Sequence, residues 1–276
     1  MGTMGQAAPP RFRVLDTYVH ALDRATLAAT LERYLAERQP RQLVTVNVDF
    51  LRLASASASF NSLINGADLV MPDGKPLVWL ARRLGLSACE RITGPDVIEA
   101  CARLSAERGH RLFLLGGEAD VAEAARHGLE KRFPGVVVSG AFSPPVAAYP
   151  FPAELDAEIE ERIREAAPDV LFVAFGCPKQ ETWIKDHQAA LGVPVAVGVG
   201  GSFSFFAGLI PRAPVALQSL GLEWTYRLYR EPRRLWRRYL RDDLPFVFRL
   251  AALAAGRKLG LVRRPVFEAQ TEGSTA

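Results

Sequence analysis

The chain of 276 residues has only 3 cysteines and 4 histidines, and these scarcities exclude several kinds of chemistry. Cys89, Cys101 and Cys177 are widely spaced and odd in number, so neither a disulfide framework nor a Cys-x-x-Cys metal clamp is available, which fits a reducing compartment. His20, His110, His127 and His187 stand alone and match no metal-ligand spacing. No apolar run reaches the ~18 residues of a membrane span; the longest candidate, Leu244 to Ala255, contains Arg249. The start, MGTMGQAAPPRFRVLD, lacks the apolar core of a secretory leader. These absences predict a cytoplasmic protein that does not cross a bilayer, although it could lie on one.

Several signature motifs are missing too. Without Gly-x-x-x-x-Gly-Lys-Ser/Thr, a P-loop nucleotidase is disfavoured. Gly198-Val199-Gly200 offers a Gly-x-Gly, but Phe203 stands where a dinucleotide fingerprint places its last glycine, and the motif follows the final strand rather than the first. A nicotinamide-dependent oxidoreductase is therefore a weak alternative. There is no Asp-x-Asp pair to hold a metal diphosphate; Asn47-Val48-Asp49 lacks one carboxylate. A leaving phosphate would need helix termini and basic side chains instead, with Lys75, Arg91 and Lys179 as loop candidates. No metal and no cofactor is expected.

What is present is a repeated unit of apolar strand and amphipathic helix. Three strands end in glycines: Leu112 to Gly117 (LFLLGG), Leu171 to Trp183 (LFVAFGCPKQETW) and Val195 to Phe203 (VAVGVGGSF). Glycine lets a ligand approach the main chain, and the amides of a following helix attract anions. Three such junctions predict one shared crevice for a nucleotide or sugar nucleotide. On the strand QLVTVNV, Thr45 and Asn47 fall on the same face by the period of two. Helices are predicted over 25–38, 49–59, 75–84, 119–133, 153–166 and 180–191, with Thr93 or Asp96 capping a helix that runs to about Arg108. The loop 141–152, with four prolines, reads as a flap over the crevice.

The alternation predicts an α/β fold, a mostly parallel Rossmann-like sheet flanked by helices, with a basic helical C-terminal appendage. The expected boundaries are a flexible N-terminus over 1–12, an α/β catalytic domain over 13–211, an appendage over 212–264 and a flexible tail over 265–276. Charge supports this division: residues 212–264 hold 13 Lys or Arg against 4 Asp or Glu, whereas residues 1–211 hold 21 against 24. Arg227, Arg230, Arg234, Arg237 and Arg241 follow helical spacing, interleaved with Trp224, Tyr226, Tyr229, Trp236 and Tyr239. That composition, followed by the apolar run from Leu244, predicts a segment lying on an anionic membrane surface. No nucleic-acid module accompanies it, so no nucleic-acid partner is expected.

Eight segments together resemble a known family. TVNVDF (45–50), MPDGKP (71–76), ERITGPD (90–96), FLLGG (113–117), FVAFGCPKQE (172–181), GVGGSF (198–203), and GLIPRAP with LGLEWTYRLYREPRR (208–214 and 220–234) are similar to the WecG/TagA/CpsF glycosyltransferases of bacterial surface polysaccharide and teichoic acid linkage-unit synthesis. The resemblance implies an inverting, metal-independent transfer of an N-acetylmannosamine-type sugar from a UDP-sugar to a polyprenyl-diphosphate-linked sugar, on the inner face of the plasma membrane. Mannosaminuronyl and glucosyl donors stay open, as does a homo-oligomeric state.

Residue by residue, the resemblance makes Asp73 the general base, which by composition alone would be a turn residue. It places Thr45, Asn47, Arg91 and Gln180 at the sugar and phosphate, and Gly116, Gly117, Gly200, Gly201 and Phe203 at the nucleotide. Arg227, Arg230, Arg234 and Arg237 are assigned to the acceptor diphosphate or the membrane. One position departs: Ser204 stands where the family commonly has aspartate. The competing class is a non-catalytic, membrane-associated binding or scaffold protein of the same fold.

Overall fold

A computed structural model describes residues 8–214, 216–217, 221–258 and 266–270. The chain enters through β1 (Arg11–Val14), β2 (Thr17–His20) and α1 (Arg24–Glu37), then β3 (Arg41–Val46), α2 (Val48–Ala56), α3 (Ala58–Asn65) and β4 (Leu69–Pro72). It continues through α4 (Lys75–Arg83), α5 (Gly94–Arg108), β5 (Arg111–Gly116), α6 (Val121–Arg132) and β6 (Val137–Phe142). After these come α7 (Ala153–Ala166), β7 (Val170–Ala174), α8 (Lys179–Leu191), β8 (Val195–Gly198), a 3₁₀ turn (Gly200–Ser202) and α9 (Phe203–Phe206). The described C-terminal part holds α10 (Glu223–Arg230), α11 (Pro232–Trp236), a π-helical segment (Arg237–Asp243), α12 (Leu244–Lys258) and β9 (Phe267–Gln270).

Six strands form a parallel sheet in the order β4-β3-β8-β7-β5-β6. Apart from the partly exposed edge strand β6, its strands are buried on both faces, as is usual for parallel strands, and successive side chains alternate between them. Leu43, Leu69, Leu112, Phe172 and Val197 point to one face, where they meet Leu27 and Leu31 of α1, Val97 and Ile98 of α5, and Ala125 and Leu129 of α6. Phe113, Leu171 and Val173 point to the other and meet Ile159, Ile163, Trp183 and Ile184 of α7 and α8. On that same side Val44, Val46 and Val70 pack with α2, α3 and α4 through Phe50, Leu51, Ile64, Leu77 and Val78.

Helix starts follow local capping chemistry. Asp23 accepts from the Thr26 amide at α1, Asn47 accepts from the Asp49 and Phe50 amides at α2, and Thr93 with Asp96 closes a capping box at α5. The single helix expected over 49–59 is two, because Ser57 adopts an extended backbone (φ −135°, ψ 110°) and its hydroxyl accepts from the Phe60 amide. A serine that offers the backbone an alternative partner favours a cap over helix interior.

Both expected ends need correction. The boundary at residue 13 falls inside β1, whose Phe12 is fully buried, and the tail expected to be flexible supplies β9 at 267–270, which pairs antiparallel with β1. β2 completes that small sheet. An apolar run of alternate residues over four positions is too short to be distinguished from loop by pattern, and pairing with a distant partner is what stabilises it. The basic segment is likewise packed into the α/β unit, since Phe246 of α12 is buried among residues of α2, α3 and α4. Pro232 restarts the helix: Glu231 leaves helical backbone at φ −129°, ψ 55°, so α10 and α11 are separate.

Candidate active site

A parallel sheet starts its following helices at the carboxyl edge, so the ends of β3, β4, β7 and β8 bring several helix N-termini to one place. A cleft of about 570 Å³ opens there. It is lined by Asn47 at α2, Gly74 and Lys75 at α4, Thr93, Gly94 and Pro95 at α5, Gly176 and Cys177 before α8, and Gly200 to Ser202 after β8. Amides and dipoles of those termini favour an anion. Lys75, Arg91, Arg227 and Arg238 add positive side chains to the same walls.

Asp73 follows β4 directly, and its amide donates to the Val46 carbonyl at 2.7 Å, tying the ends of β3 and β4 together. The turn into α4 passes through Gly74 at φ 149°, ψ 141°, a conformation a side chain would obstruct, and this turn places Asp73 on the cleft wall. Loss of solvation pushes the Asp73 carboxyl up to about 6; Glu223 pushes the same way, while Arg91 and Arg227 oppose it. Among the described residues its carboxylate accepts no hydrogen bond.

Gln180 is buried at the start of α8. Its Oε1 accepts from the Gly176 and Gly200 amides, both at 3.1 Å, and its Nε2 donates to Glu181 Oε1 at 2.6 Å. It therefore staples the loop after β7 to the turn after β8. Burial pushes Glu181 up to about 7. Thr45 is buried on β3 and, like Asn47, lines the cleft, so the two polar residues predicted to share a strand face do meet the same space. Asn47 Oδ1 also accepts from Arg238 at 3.2 Å.

Of the residues singled out from the sequence, Thr45, Asn47, Asp73, Arg91, Gln180, Gly200, Gly201 and Arg227 all line the cleft. Gly116, Gly117 and Phe203 do not. A Cβ on Gly116 would lie 2.9 Å from the Ala174 backbone, so this glycine serves close approach of β5 to β7, and Gly117 packs against Val121. Phe203 is buried in the core beneath α5 and α6. Ser204, on α9, is off the cleft as well. Arg230 and Arg237 are exposed outside it, and the side chain of Arg234 is outside the described set.

The expected flap is not over the cleft. Its loop docks on α8 instead, where Lys179 Nζ donates to the Ala147 carbonyl at 2.7 Å and Tyr149 hydroxyl donates to Asp186. Cys177 lines the cleft, but burial and neighbouring Glu181 push its thiol up, away from a nucleophilic thiolate.

Glu223, Trp224, Arg238, Tyr239 and Asp243 also line the cleft and were missed. The first two lie inside LGLEWTYRLYREPRR, where the arginines and interleaved aromatics, Trp224 among them, were read as a membrane-facing surface and Glu223 was passed over. Arg238 fell outside that spacing because the break at Glu231 and the π-helical segment shift the helical phase. Among the described residues no group of three or more His, Cys, Asp or Glu is placed to hold a metal, and no helix is long and apolar enough to cross a membrane.

Comparison with known proteins agrees with this geometry. Residues 12–259 match the family described as "Glycosyl transferase WecG/TagA/CpsF family". The enzyme named N-acetylglucosaminyldiphosphoundecaprenol N-acetyl-beta-D-mannosaminyltransferase from Staphylococcus aureus strain MW2 is 32% identical over 210 residues, covering 76% of this chain and 79% of the relative. The proteins of that name from strains NCTC 8325 / PS 47 and MRSA252 show the same identity and coverage. With a matching family over most of its length and a cleft built from that family's motifs, this chain belongs to the WecG/TagA/CpsF glycosyltransferases.

Proposed function

We propose that the protein is an inverting, metal-independent transferase that moves an N-acetylmannosamine-type sugar from a UDP-sugar to a polyprenyl-diphosphate-linked sugar. The acceptor hydroxyl oxygen attacks the anomeric carbon as its proton passes to Asp73. The bond from that carbon to the phosphate oxygen breaks, and the electron pair leaves on the nucleotide diphosphate. Helix N-termini of the cleft, with Lys75, Arg91, Arg227 and Arg238, neutralise that leaving group where a metal would otherwise be needed.

One observation carries this reading: Asp73 is a cleft carboxylate without a hydrogen-bonded partner among the described residues, with a proton affinity raised toward neutrality. Asp243, also on the cleft and pushed up to about 7 by burial and Asp49, is a poorer candidate because Arg52 and Arg238 flank it, each at 3.8 Å. The relatives' names support the acceptor, and the outer surface of the basic segment supports membrane association. Trp236, Leu240 and Phe248 are exposed there, beside exposed Arg233, Arg237 and Arg241. That arrangement supports attachment to a membrane surface, which we place on the cytoplasmic side.

The test is UDP release in the presence of a lipid-linked acceptor, with and without EDTA. Turnover that survives EDTA and disappears in a folded Asp73→Asn variant is expected. UDP binding without transfer to any of a panel of acceptors would favour a scaffold instead, and loss of turnover with EDTA would refute metal independence.

A further inference from the structure

Arg91 and Glu223 are 132 positions apart in sequence and meet on the cleft wall, Arg91 Nη1 donating to Glu223 Oε2 at 2.5 Å. Both side chains are only 14% accessible. A charged pair taken this far out of water is favourable only with good geometry, and a short charge-assisted hydrogen bond supplies it. Arg91 stands on the loop that enters α5, and Glu223 is the first residue of α10. The pair therefore joins the basic segment to the wall that carries Asp73. Arg227, one helical turn after Glu223, also lines the cleft, with its guanidinium 5.8 Å from the Phe205 ring centre.

The charged and titratable groups around Asp73 come from four helical elements and the loop before α5. Arg91 and Glu223 belong to the ion pair, Arg227 to α10, Asp96 to α5, and Tyr239 to the π-helical segment, while Lys75 lines the cleft from α4. Asp96 is itself occupied by Arg212 at 2.7 Å and Arg24 at 3.2 Å. Glu223 is thus the carboxylate left to offset the two arginines near Asp73. Without it, Arg91 would be free to pair with Asp73, and a carboxylate held by a guanidinium is a poor proton acceptor.

We propose that Glu223 is a positioning residue for sugar transfer: it engages Arg91, leaving the Asp73 carboxylate unpaired, and docks α10 so that Arg227 faces the cleft. This rests on Asp73 acting as the base. Two variants alter the charge balance in opposite directions. Glu223→Gln removes a negative charge and releases Arg91, whereas Arg91→Gln leaves Glu223 without its cation. A purely structural contact would not shift Asp73 with opposite signs in these two variants.

The measurement is titration of the Asp73 side-chain carboxyl by carbon NMR in the full chain, assigned with Asp73→Asn, alongside the pH profile of kcat/KM. In Glu223→Gln the Asp73 midpoint and the acid limb of kcat/KM should both fall by about one pH unit. In Arg91→Gln the midpoint should rise, and Glu223→Asp should stay near wild type. An unmoved Asp73 midpoint in folded Glu223→Gln overturns the proposal. If that variant does not fold, an unmoved or lowered midpoint in Arg91→Gln overturns it. The base assignment fails separately, if Asp73→Asn retains turnover.

Discussion

Replacing Asp73 by asparagine should disable the enzyme and stabilise the fold at once. The carboxyl is pushed from an ordinary 3.8 to about 6, chiefly by loss of solvation. Below 3.8 it is protonated in folded and unfolded chains alike and contributes no pH dependence. Between 3.8 and about 6 the folded chain holds a proton that the unfolded chain has released, so stability falls as pH rises through this window. Above about 6 the ionised group opposes folding by up to about 3 kcal/mol, from about 1.4 kcal/mol per pH unit. Relaxation around a half-buried group reduces this, and about 1–3 kcal/mol is a working range. Asp73→Asn removes the charge, so its melting temperature at pH 7.5 should rise by several degrees, with the gain vanishing near pH 4. Its turnover should fall about 10²–10⁴-fold, the usual contribution of a general base. Calorimetry at the two pH values, paired with UDP release, measures both. A folded variant that loses turnover without gaining stability at pH 7.5, from a wild-type enzyme whose kcat/KM is flat between pH 5 and 8, would refute the argument from desolvation.

Other expectations follow from particular contacts. Gln180→Leu leaves the Gly176 and Gly200 amides without their shared acceptor, so thermal unfolding should show a loss of about 2–4 kcal/mol, with a raised donor KM. Trp183→Phe removes the indole donor to Asp156 at 2.9 Å and part of a fully buried ring, a destabilisation of about 2 kcal/mol readable by urea titration, without loss of the cleft. Combining Trp236→Glu, Leu240→Glu and Phe248→Glu should lower sedimentation with phosphatidylserine vesicles by about tenfold or more, while turnover on a water-soluble acceptor persists. Deleting 212–276 would be a poor version of this test, because it exposes the partners of Phe246 and removes β9.

Much of the α/β frame was legible, because strands buried on both faces read as apolar runs and helices as amphipathic stripes. The helix over 153–166 and the junction LFVAFGCPKQETW lie where expected, while the strand read over QLVTVNV stops at Val46 because Asn47 caps α2. The glycine-marked ends were less uniform than their sequences. Gly200 reaches the cleft, while Gly116 is needed for strand approach, since glycine permits either and only the neighbouring backbone distinguishes them. Gln180 was identified by family resemblance as a sugar-pocket residue; the structure makes it the acceptor that holds two loops together.

Local order and family membership were determined by the sequence itself. Hydrophobic period, caps and motifs act over a few residues and survive without knowledge of distant partners. Asp73 remained a turn residue by composition, and its raised proton affinity comes from the burial and the neighbouring Glu223 that only the fold supplies, against the pull of Arg91 and Arg227. The same holds for the basic segment: its arginines are visible as a charge excess, but which of them face the cleft is decided by a helix break, a π-helical segment and the docking of α12. Charge and burial depend on three-dimensional neighbours, and those neighbours come from residues far apart in the chain.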